Sequence, residues 1–366
     1  MNLLPKLLYI TTNLQGSGGV ARVLSVKLNY LIERYGYTIH VVTTNNTSET
    51  FFYEFNKRIV FHKIDIKNFG FRYLFKYKTL LQNIIDNVQP NIIINCDNGF
   101  KGNLLPYIVK TKTPLVYERH GSRKIDVNTL KERIKNKIAN IILDNNVKNY
   151  QAFIILNNED TKDWKANNIK VIPNPLCLKL PFEQSELKNK IALAVGRHSV
   201  EKQFDILLKV WKKVVENYPD WTLKIYGESD KEYALKRLIE KLNINNQVQL
   251  YPPTKNITEE YSKVSMLLNT SSSEAFGLVI LEAMAFGLPT IAFDSASGPK
   301  QLINDGENSF LINSFDMDAY ANKIKLLIKD EELRNTLGDN AKQIAEKFNL
   351  DKIMKQWHEL FQSLSS

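Results

Sequence analysis

Only two cysteines, Cys96 and Cys177, occur among 366 residues, and they lie far apart without metal-ligand spacing. Disulfide scaffolds and zinc modules have no support, and the cytosol is the default compartment. Long apolar runs are missing as well. The longest are of the kind Asn91-Ile92-Ile93-Ile94-Asn95, whereas a bilayer span needs ~20 residues, so no segment is expected to cross a membrane. The opening residues carry Lys6 inside their apolar stretch, where a signal peptide would set its charge ahead of it; they read as a first β-strand. Tracts of Pro, Gly, Ser or like charge are too short to prevent packing, and internal repeats are absent. With 43% apolar, 24% charged and 10% aromatic residues, a disordered or fibrous chain is excluded. The length suits two domains of roughly 150 residues or more, each able to bury a core.

Acidic residues are scarce in one half only. Residues 1–175 carry a net +12 and residues 176–366 a net −2, so the whole excess of +10 lies in the first half. It is concentrated in 57–78, with seven basic residues against Asp65 alone, and in 101–137, with ten against Glu118, Asp126 and Glu132. Such a half suits an anionic partner: a membrane surface, nucleic acid or a phosphorylated substrate.

Short β-rich runs alternate with helical patterns almost from end to end. The spacing predicts strands at Leu7–Thr12, Thr38–Thr44, Ile59–Lys63, Ile92–Cys96, Leu115–Glu118 and Phe153–Leu156, with helices at Val20–Tyr35, Arg72–Asn87 and Val127–Asn140. In the second half it predicts strands at Ile191–Val195, Leu223–Tyr226, Val248–Tyr251, Met266–Asn269, Thr290–Phe293 and Phe310–Ile312, with helices at Phe204–Asn217, Glu232–Leu242 and Phe276–Phe286. Repeated βα units imply parallel sheets covered on both faces, hence an α/β chain of two doubly wound domains. Ile172-Pro173-Asn174-Pro175 forbids helix and makes a stiff connector. The domains expected are 1–175 and 176–345, with a hinge at 173–188. In the remaining 346–366, Ile353, Met354, Trp357, Leu360, Phe361 and Leu364 recur at helical spacing, as in an amphipathic helix packed on a neighbour.

Three loops carry candidate chemistry. Gly16-Ser17-Gly18-Gly19-Val20-Ala21 follows the first strand and opens a helix, formally matching the dinucleotide fingerprint. The second strand, however, ends in Thr43-Thr44-Asn45-Asn46, without the acid a nicotinamide ribose needs. Either a ligand approaches the backbone at Gly18 and Gly19 near a positive helix terminus, or the glycines make a tight turn. Gly196-Arg197-His198-Ser199-Val200-Glu201-Lys202 sets two cations at the carboxyl end of a strand, where open α/β sheets bind ligands. Arg197 as a fork and Lys202 as a point charge suit a diphosphate; solvated surface cations are the alternative. In Ser273-Glu274-Ala275-Phe276-Gly277-Leu278-Val279-Ile280-Leu281-Glu282, Glu274 precedes a helix whose free N–H groups near Phe276, Gly277 and Leu278 point above the sheet. Glu282 lies on an otherwise apolar helix, an uncomfortable place for a charge without a partner, and a ribose would satisfy it. Otherwise Ser273 or Glu274 caps the helix and Glu282 reaches solvent.

These residues resemble a known family, the retaining glycosyltransferases of family GT4, whose GT-B architecture sets two Rossmann-like domains around a cleft. The features recur in the family's order: Gly18-Gly19 after strand one, His120 in Glu118-Arg119-His120-Gly121, Arg197 with Lys202, and Glu274 with Glu282 in an E-x7-E motif. The resemblance covers most of the chain and implies an acceptor-binding first domain, a nucleotide-sugar-binding second domain and a last helix returning to the first. It further implies that Arg197 and Lys202 bind the donor diphosphate, that Glu282 binds the ribose and that Glu274 faces the transferred sugar. Phe276, Gly277, Leu278 and Val279 would touch sugar and phosphate through backbone. His120 would contact the sugar, against the simpler reading of a strand-end histidine bonded to backbone. Asp294-Ser295-Ala296-Ser297-Gly298-Pro299 looks like a loop of bacterial polysaccharide and O-antigen members.

Asp316-Met317-Asp318 spells a metal-binding D-x-D of another glycosyltransferase fold, but it precedes a helical pattern and reads as a cap. Reading Glu274 and Glu282 as paired hydrolase carboxylates would leave the cations without a role. The expectation is a metal-independent, cofactor-free transfer of a hexose or N-acetylhexosamine from a UDP-sugar to a glycan acceptor, lipid-linked if the basic half adheres to an anionic membrane at its cytoplasmic face. A nicotinamide oxidoreductase and a basic nucleic-acid binder are the rivals. The first lacks its ribose acid, and the second gives Glu274 and Glu282 nothing to do.

Overall fold

The computed structural model describes residues 5–44, 50–66, 70–123, 130–178, 183–229 and 235–365, with the backbone alone for 71, 100, 130–136 and 138. The chain divides into two compact units, Met1–Pro175 with Leu350–Ser366, and Leu176–Asn349. In the first, strands β1 (Lys6–Thr11), β2 (Thr38–Thr44), β3 (Val60–Ile64), β4 (Ile92–Asn95), β5 (Leu115–Glu118), β6 (Ala152–Ile155) and β7 (Ile169–Val171) form one sheet. Its order is β3-β2-β1-β4-β5-β6-β7. Between the strands run α1 (Gly19–Tyr30, continued by a π-helical turn to Tyr35), α2 (Phe71–Val88), the short α3 (Phe100–Asn103) and α4 (Leu105–Ile108), and α5 (Leu130–Val147).

The second unit repeats the plan. Strands β8 (Ile191–Val195), β9 (Thr222–Tyr226), β10 (Val248–Tyr251), β11 (Met266–Asn269), β12 (Thr290–Phe293) and β13 (Phe310–Ile312) lie in the order β10-β9-β8-β11-β12-β13. Its helices are α6 (Phe204–Val215), α7 (Leu235–Leu242), α8 (Ile257–Tyr261), α9 (Leu278–Ala285), α10 (Ser297–Leu302), α11 (Met317–Lys329) and α12 (Glu331–Glu346). The last helix, α13 (Leu350–Ser365), belongs to the first unit.

All pairings between named strands are parallel. The sequence explains why: β4, β5, β6, β11 and β12 are buried at every position, so they read as continuous apolar runs rather than alternations, as strands covered on both faces do. In each order list the sequence numbering turns back at one place, between β1 and β4 and between β8 and β11. At such a reversal the crossover connections leave on opposite faces, and the loops at the strands' carboxyl ends open into a crevice.

Three differences from the sequence expectation have local causes. β7 is only three residues at the sheet edge, paired from Phe153↔Ile169, too short to show a period. α5 runs on to Val147 rather than ending at Asn140, because Leu143 and Val147 continue the buried stripe; residues 127–129, where it was expected to begin, lie outside the described residues. α9 begins at Leu278, two residues late, because Gly277 ahead of it is left-handed at φ 90°.

α13 completes the core of the first unit. Ile353, Met354, Trp357, Leu360 and Phe361 pack with Leu7, Tyr9, Leu24 and Ile92 in one apolar cluster. Phe361→Ala should therefore destabilise this unit by about 3–5 kcal/mol, read as a lowered urea midpoint. An unchanged midpoint would show that α13 is an attachment and not part of the core.

Candidate functional site

In the second unit the crevice is bounded by the loops after β8 and β11, which are two of the three loops the sequence singles out. After β8 the chain makes a 3₁₀ turn over Val200–Lys202 and enters α6 through a left-handed Gln203. The loop after β11 is fastened to it: Ser272 N–H donates to Glu201 O at 2.8 Å, and Thr270 Oγ1 donates to Lys202 O at 2.9 Å. These bonds bring Lys202 Nζ within 2.7 Å of Glu274 Oε2, both side chains about one-fifth exposed. Gly196 makes room for this. A Cβ there would lie 3.1 Å from the Lys202 stem. Arg197 is 62% exposed and paired with Glu201 at 2.9 Å, so its guanidinium is far more open to solvent than the Lys202 ammonium.

α9 projects from the same loop. Its cap residue Gly277 has no side chain to bond the first N–H groups, which disposes of Ser273 or Glu274 as helix cap. An uncapped N-terminus beside a lysine suits an anion. Phe276 and Gly277 are buried, while Leu278 and Val279 are half-buried. Glu282 is 3% exposed and accepts from the Tyr261 hydroxyl at 3.0 Å. It does not reach solvent, and it has a protein partner on α8 that the sequence did not disclose.

The first turn of α10, after β12, braces this arrangement. Gly298 N–H donates to Glu274 O at 3.0 Å, and a Cβ on Gly298 would fall 2.7–2.8 Å from the backbone of Glu274 and Phe276. His198, between the two cations, is 4% exposed with its ring edge-on to Phe204. Burial lowers its pKa, so it adds no third charge at neutral pH. Asp316 caps α11 by accepting from Ala319 N–H at 2.9 Å, and Asp318 pairs with Lys213 at 2.6 Å; the D-x-D triplet is spent on structure.

In the first unit the glycine loop follows β1. A Cβ at Gly18 would meet nothing within 4 Å, so packing does not demand this glycine, and the backbone ahead of Gly19 and α1 is open to approach. His120 follows β5, its N–H donating to Asn98 Oδ1 at 3.1 Å. Its ring faces a carboxylate, not backbone: Nε2 lies 3.4 Å from Glu118 Oε1. Glu118 itself is bound at 2.6 Å by Lys27 Nζ, both fully or almost fully buried. Of the basic residues in 57–78 and 101–137 that would meet a membrane, Arg72, Lys76 and Lys137 are exposed, Lys78 is half-buried, and Arg123 is engaged with Asp144 at 2.7 Å. Lys124 and the side chains of Lys131, Arg133 and Lys135 lie outside the described residues. No helix among the described residues is long and apolar enough to cross a membrane.

The chain is similar to known proteins over most of its length. Residues 179–344 match the family described as glycosyl transferases group 1. An uncharacterized glycosyltransferase of Haemophilus influenzae is 28% identical over 96% of this chain and 98% of its own length. The amylovoran biosynthesis glycosyltransferase AmsD of Erwinia amylovora is 25% identical over 97% and 99%. Among solved structures, a variant of S. aureus TarM held with fondaparinux, alpha-GlcNAc-glycerol and UDP superposes with a TM-score of 0.82 at 15% identity, covering 98% of this chain and 100% of that one. The shared fold is GT-B.

The contact at Gly298 carries its own consequence. Gly298→Ala must push the backbone of Glu274 and Phe276 aside, at a cost of about 1–3 kcal/mol. The expected result is a lowered melting temperature with faster amide exchange at Phe276 and Gly277. Unchanged exchange there would mean that the loop does not lean on Gly298.

Proposed function

Because residues 179–344 belong to the glycosyl transferases group 1 family, we propose that the chain moves a hexose or N-acetylhexosamine from a UDP-sugar to a glycan acceptor with retention of configuration. The setting is the assembly of a bacterial surface polysaccharide, lipopolysaccharide or glycoprotein. The observation that carries the reading is Lys202 paired to Glu274 at 2.7 Å beside the uncapped start of α9. A lysine whose counter-ion is a one-fifth-exposed carboxylate can exchange it for a diphosphate. Glu274 is then released toward the sugar hydroxyls. Arg197 and Lys202 are assigned the diphosphate, Glu282 the ribose, and the backbone of Phe276–Val279 the phosphate and sugar. Gly18 and Gly19 are assigned to donor binding and His120 to the transferred sugar. The acceptor hydroxyl attacks on the face from which the diphosphate departs, and the departing phosphate oxygen takes its proton. The two cations and the α9 N-terminus meet the developing negative charge, so the step asks for no metal. TarM held with UDP, at a TM-score of 0.82, supports the choice of nucleotide.

Calorimetry with UDP, run beside turnover, tests the division of roles. Lys202→Ala should lower kcat by on the order of 10²–10³ and weaken UDP. Glu282→Gln should weaken UDP. Glu274→Gln should abolish transfer while leaving UDP affinity undiminished, since it frees Lys202. Equal loss of UDP affinity in both glutamate variants would show the roles wrongly divided.

Where the acceptor waits is suggested by the first unit. A groove of about 640 Å³ between α2 and α4 is lined by Phe75 and Tyr107, 75% and 60% exposed, with Arg72, Lys76 and Lys78 beside them. Exposed aromatic rings flanked by cations match an anionic lipid surface, where each Lys or Arg contributes about 1 kcal/mol. Sedimentation with anionic but not neutral liposomes at low salt is expected, with release at 1 M salt, where screening shortens to ~3 Å. Charge reversal at Arg72, Lys76 and Lys78 should abolish it. Indifference to lipid charge would defeat the membrane reading and leave the transferase standing.

A further inference from the structure

Buried charge in the first unit is gathered into one cluster. Lys27 on α1 is fully buried, and its ammonium meets Glu118 Oε2 at 2.6 Å. The ring of Trp357 from α13 stands 3.1 Å from that ammonium and the ring of Tyr9 5.6 Å, both as cation–π partners. The Cys96 thiol donates to the same carboxylate oxygen at 3.5 Å. The other oxygen, Oε1, is 3.4 Å from His120 Nε2, long for a hydrogen bond but close enough for its charge to orient the ring.

A buried ion pair is a poor source of stability, because desolvating both ions offsets their attraction and apolar residues of similar volume often serve as well. This one stands at the carboxyl end of a central strand, beside a histidine whose side chain is 3% exposed. Cys96, Glu118 and His120 bring their ligand atoms within 4.8 Å of one another, a spacing a cation can bridge, and the ammonium of Lys27 already stands beside that carboxylate. Oε2 is thus taken by lysine and thiol, and Oε1 is directed at His120.

The geometry points to Glu118 as the positioning residue of His120: Oε1 keeps the imidazole proton on Nε2, so that Nδ1 presents its lone pair to a substrate hydroxyl, and Lys27 under Trp357 holds the carboxylate in place. This rests on the assignment of His120 to the transferred sugar. His120 Nε2 is buried with no hydrogen-bond partner among the described residues, and in a neutral imidazole the charge of a carboxylate oxygen at 3.4 Å favours a proton, not a lone pair, on the nitrogen that faces it. Burial lowers the His120 pKa, Lys27 adding to the effect and Glu118 opposing it. Burial pushes the Glu118 carboxyl up, but Lys27 above all, with His120, outweighs it and holds it below the usual range. Burial lowers Lys27 as well, against the pull of Glu118. Tyr9 and Cys96, which also face the cluster, are raised by burial and stay neutral. At neutral pH the result is a carboxylate facing a neutral imidazole.

Lys27→Met combined with Glu118→Leu replaces the pair by apolar side chains and strands no charge. The doubly substituted chain should fold and bind UDP as before, with the donor KM unchanged and kcat lowered about 10- to 100-fold, the scale on which losing the group that orients a working histidine is felt. Nitrogen-labelled histidine NMR should show His120 leaving the Nε2–H tautomer. Lys27→Met combined with Glu118→Gln keeps an acceptor for Nε2–H, and should restore the tautomer and most of kcat. Wild-type kcat or an unchanged tautomer in the apolar double variant overturns the proposal. His120→Ala separates it from the reading beneath. Wild-type transfer by His120→Ala overturns the assignment of His120 and this inference with it. An inactive His120→Ala beside a fully active apolar double variant overturns the positioning alone.

Discussion

A parallel sheet delivers the carboxyl ends of all its strands to one edge, and the loops at that edge carry this chain's candidate site. Lys202 and Glu274 are 72 residues apart in sequence, yet they stand on the loops after the adjacent strands β8 and β11, at the one place where the strand order reverses. Helix connections on opposite faces of the sheet leave that place uncovered, so polar groups gather there without being buried under apolar side chains. The same reversal in the first unit selects the loop after β1, with Gly18 and Gly19, and the loop after β4, whose Asn98 steadies His120.

Two lysine–glutamate pairs express opposite uses of one interaction. Lys202–Glu274 is partly exposed, so solvent screens it and a competing anion can displace it at small cost. Lys27–Glu118 is sealed under Trp357, where removing either ion would leave the other charged and dry. In the proposed function the first pair yields to ligand charge, while the second is a fixed frame.

What could be read from the sequence was whatever depends on neighbours along the chain. β5, β8 and β10 to β13 lie where the apolar runs place them, because each is a local pattern bounded by turn residues. The Arg197–Lys202 and Glu274–Glu282 loops could be found because strand, loop and helix succeed one another within about a dozen residues. What escaped depends on distance: Tyr261 reaches Glu282 from another helix, Gly298 braces Glu274 from another strand end, and Lys27 finds Glu118 across 91 residues. No period or spacing announces such contacts. Nothing in the sequence marks Gly277 as left-handed, so spacing alone sets the start of α9 two residues early.

The place of α13 bears on how the chain comes to be folded as it is made. Domains ordinarily fold in turn as synthesis proceeds from the N-terminus. Here residues 5–175 emerge first, but the apolar face they prepare for Trp357 and Phe361 stays open until some 180 further residues have been added. The second unit, contiguous from Leu176 to Asn349, suffers no such delay. The half of the chain born first is thus the last to be finished, and it spends the interval with part of its core exposed to whatever chaperone or self-association the cell offers.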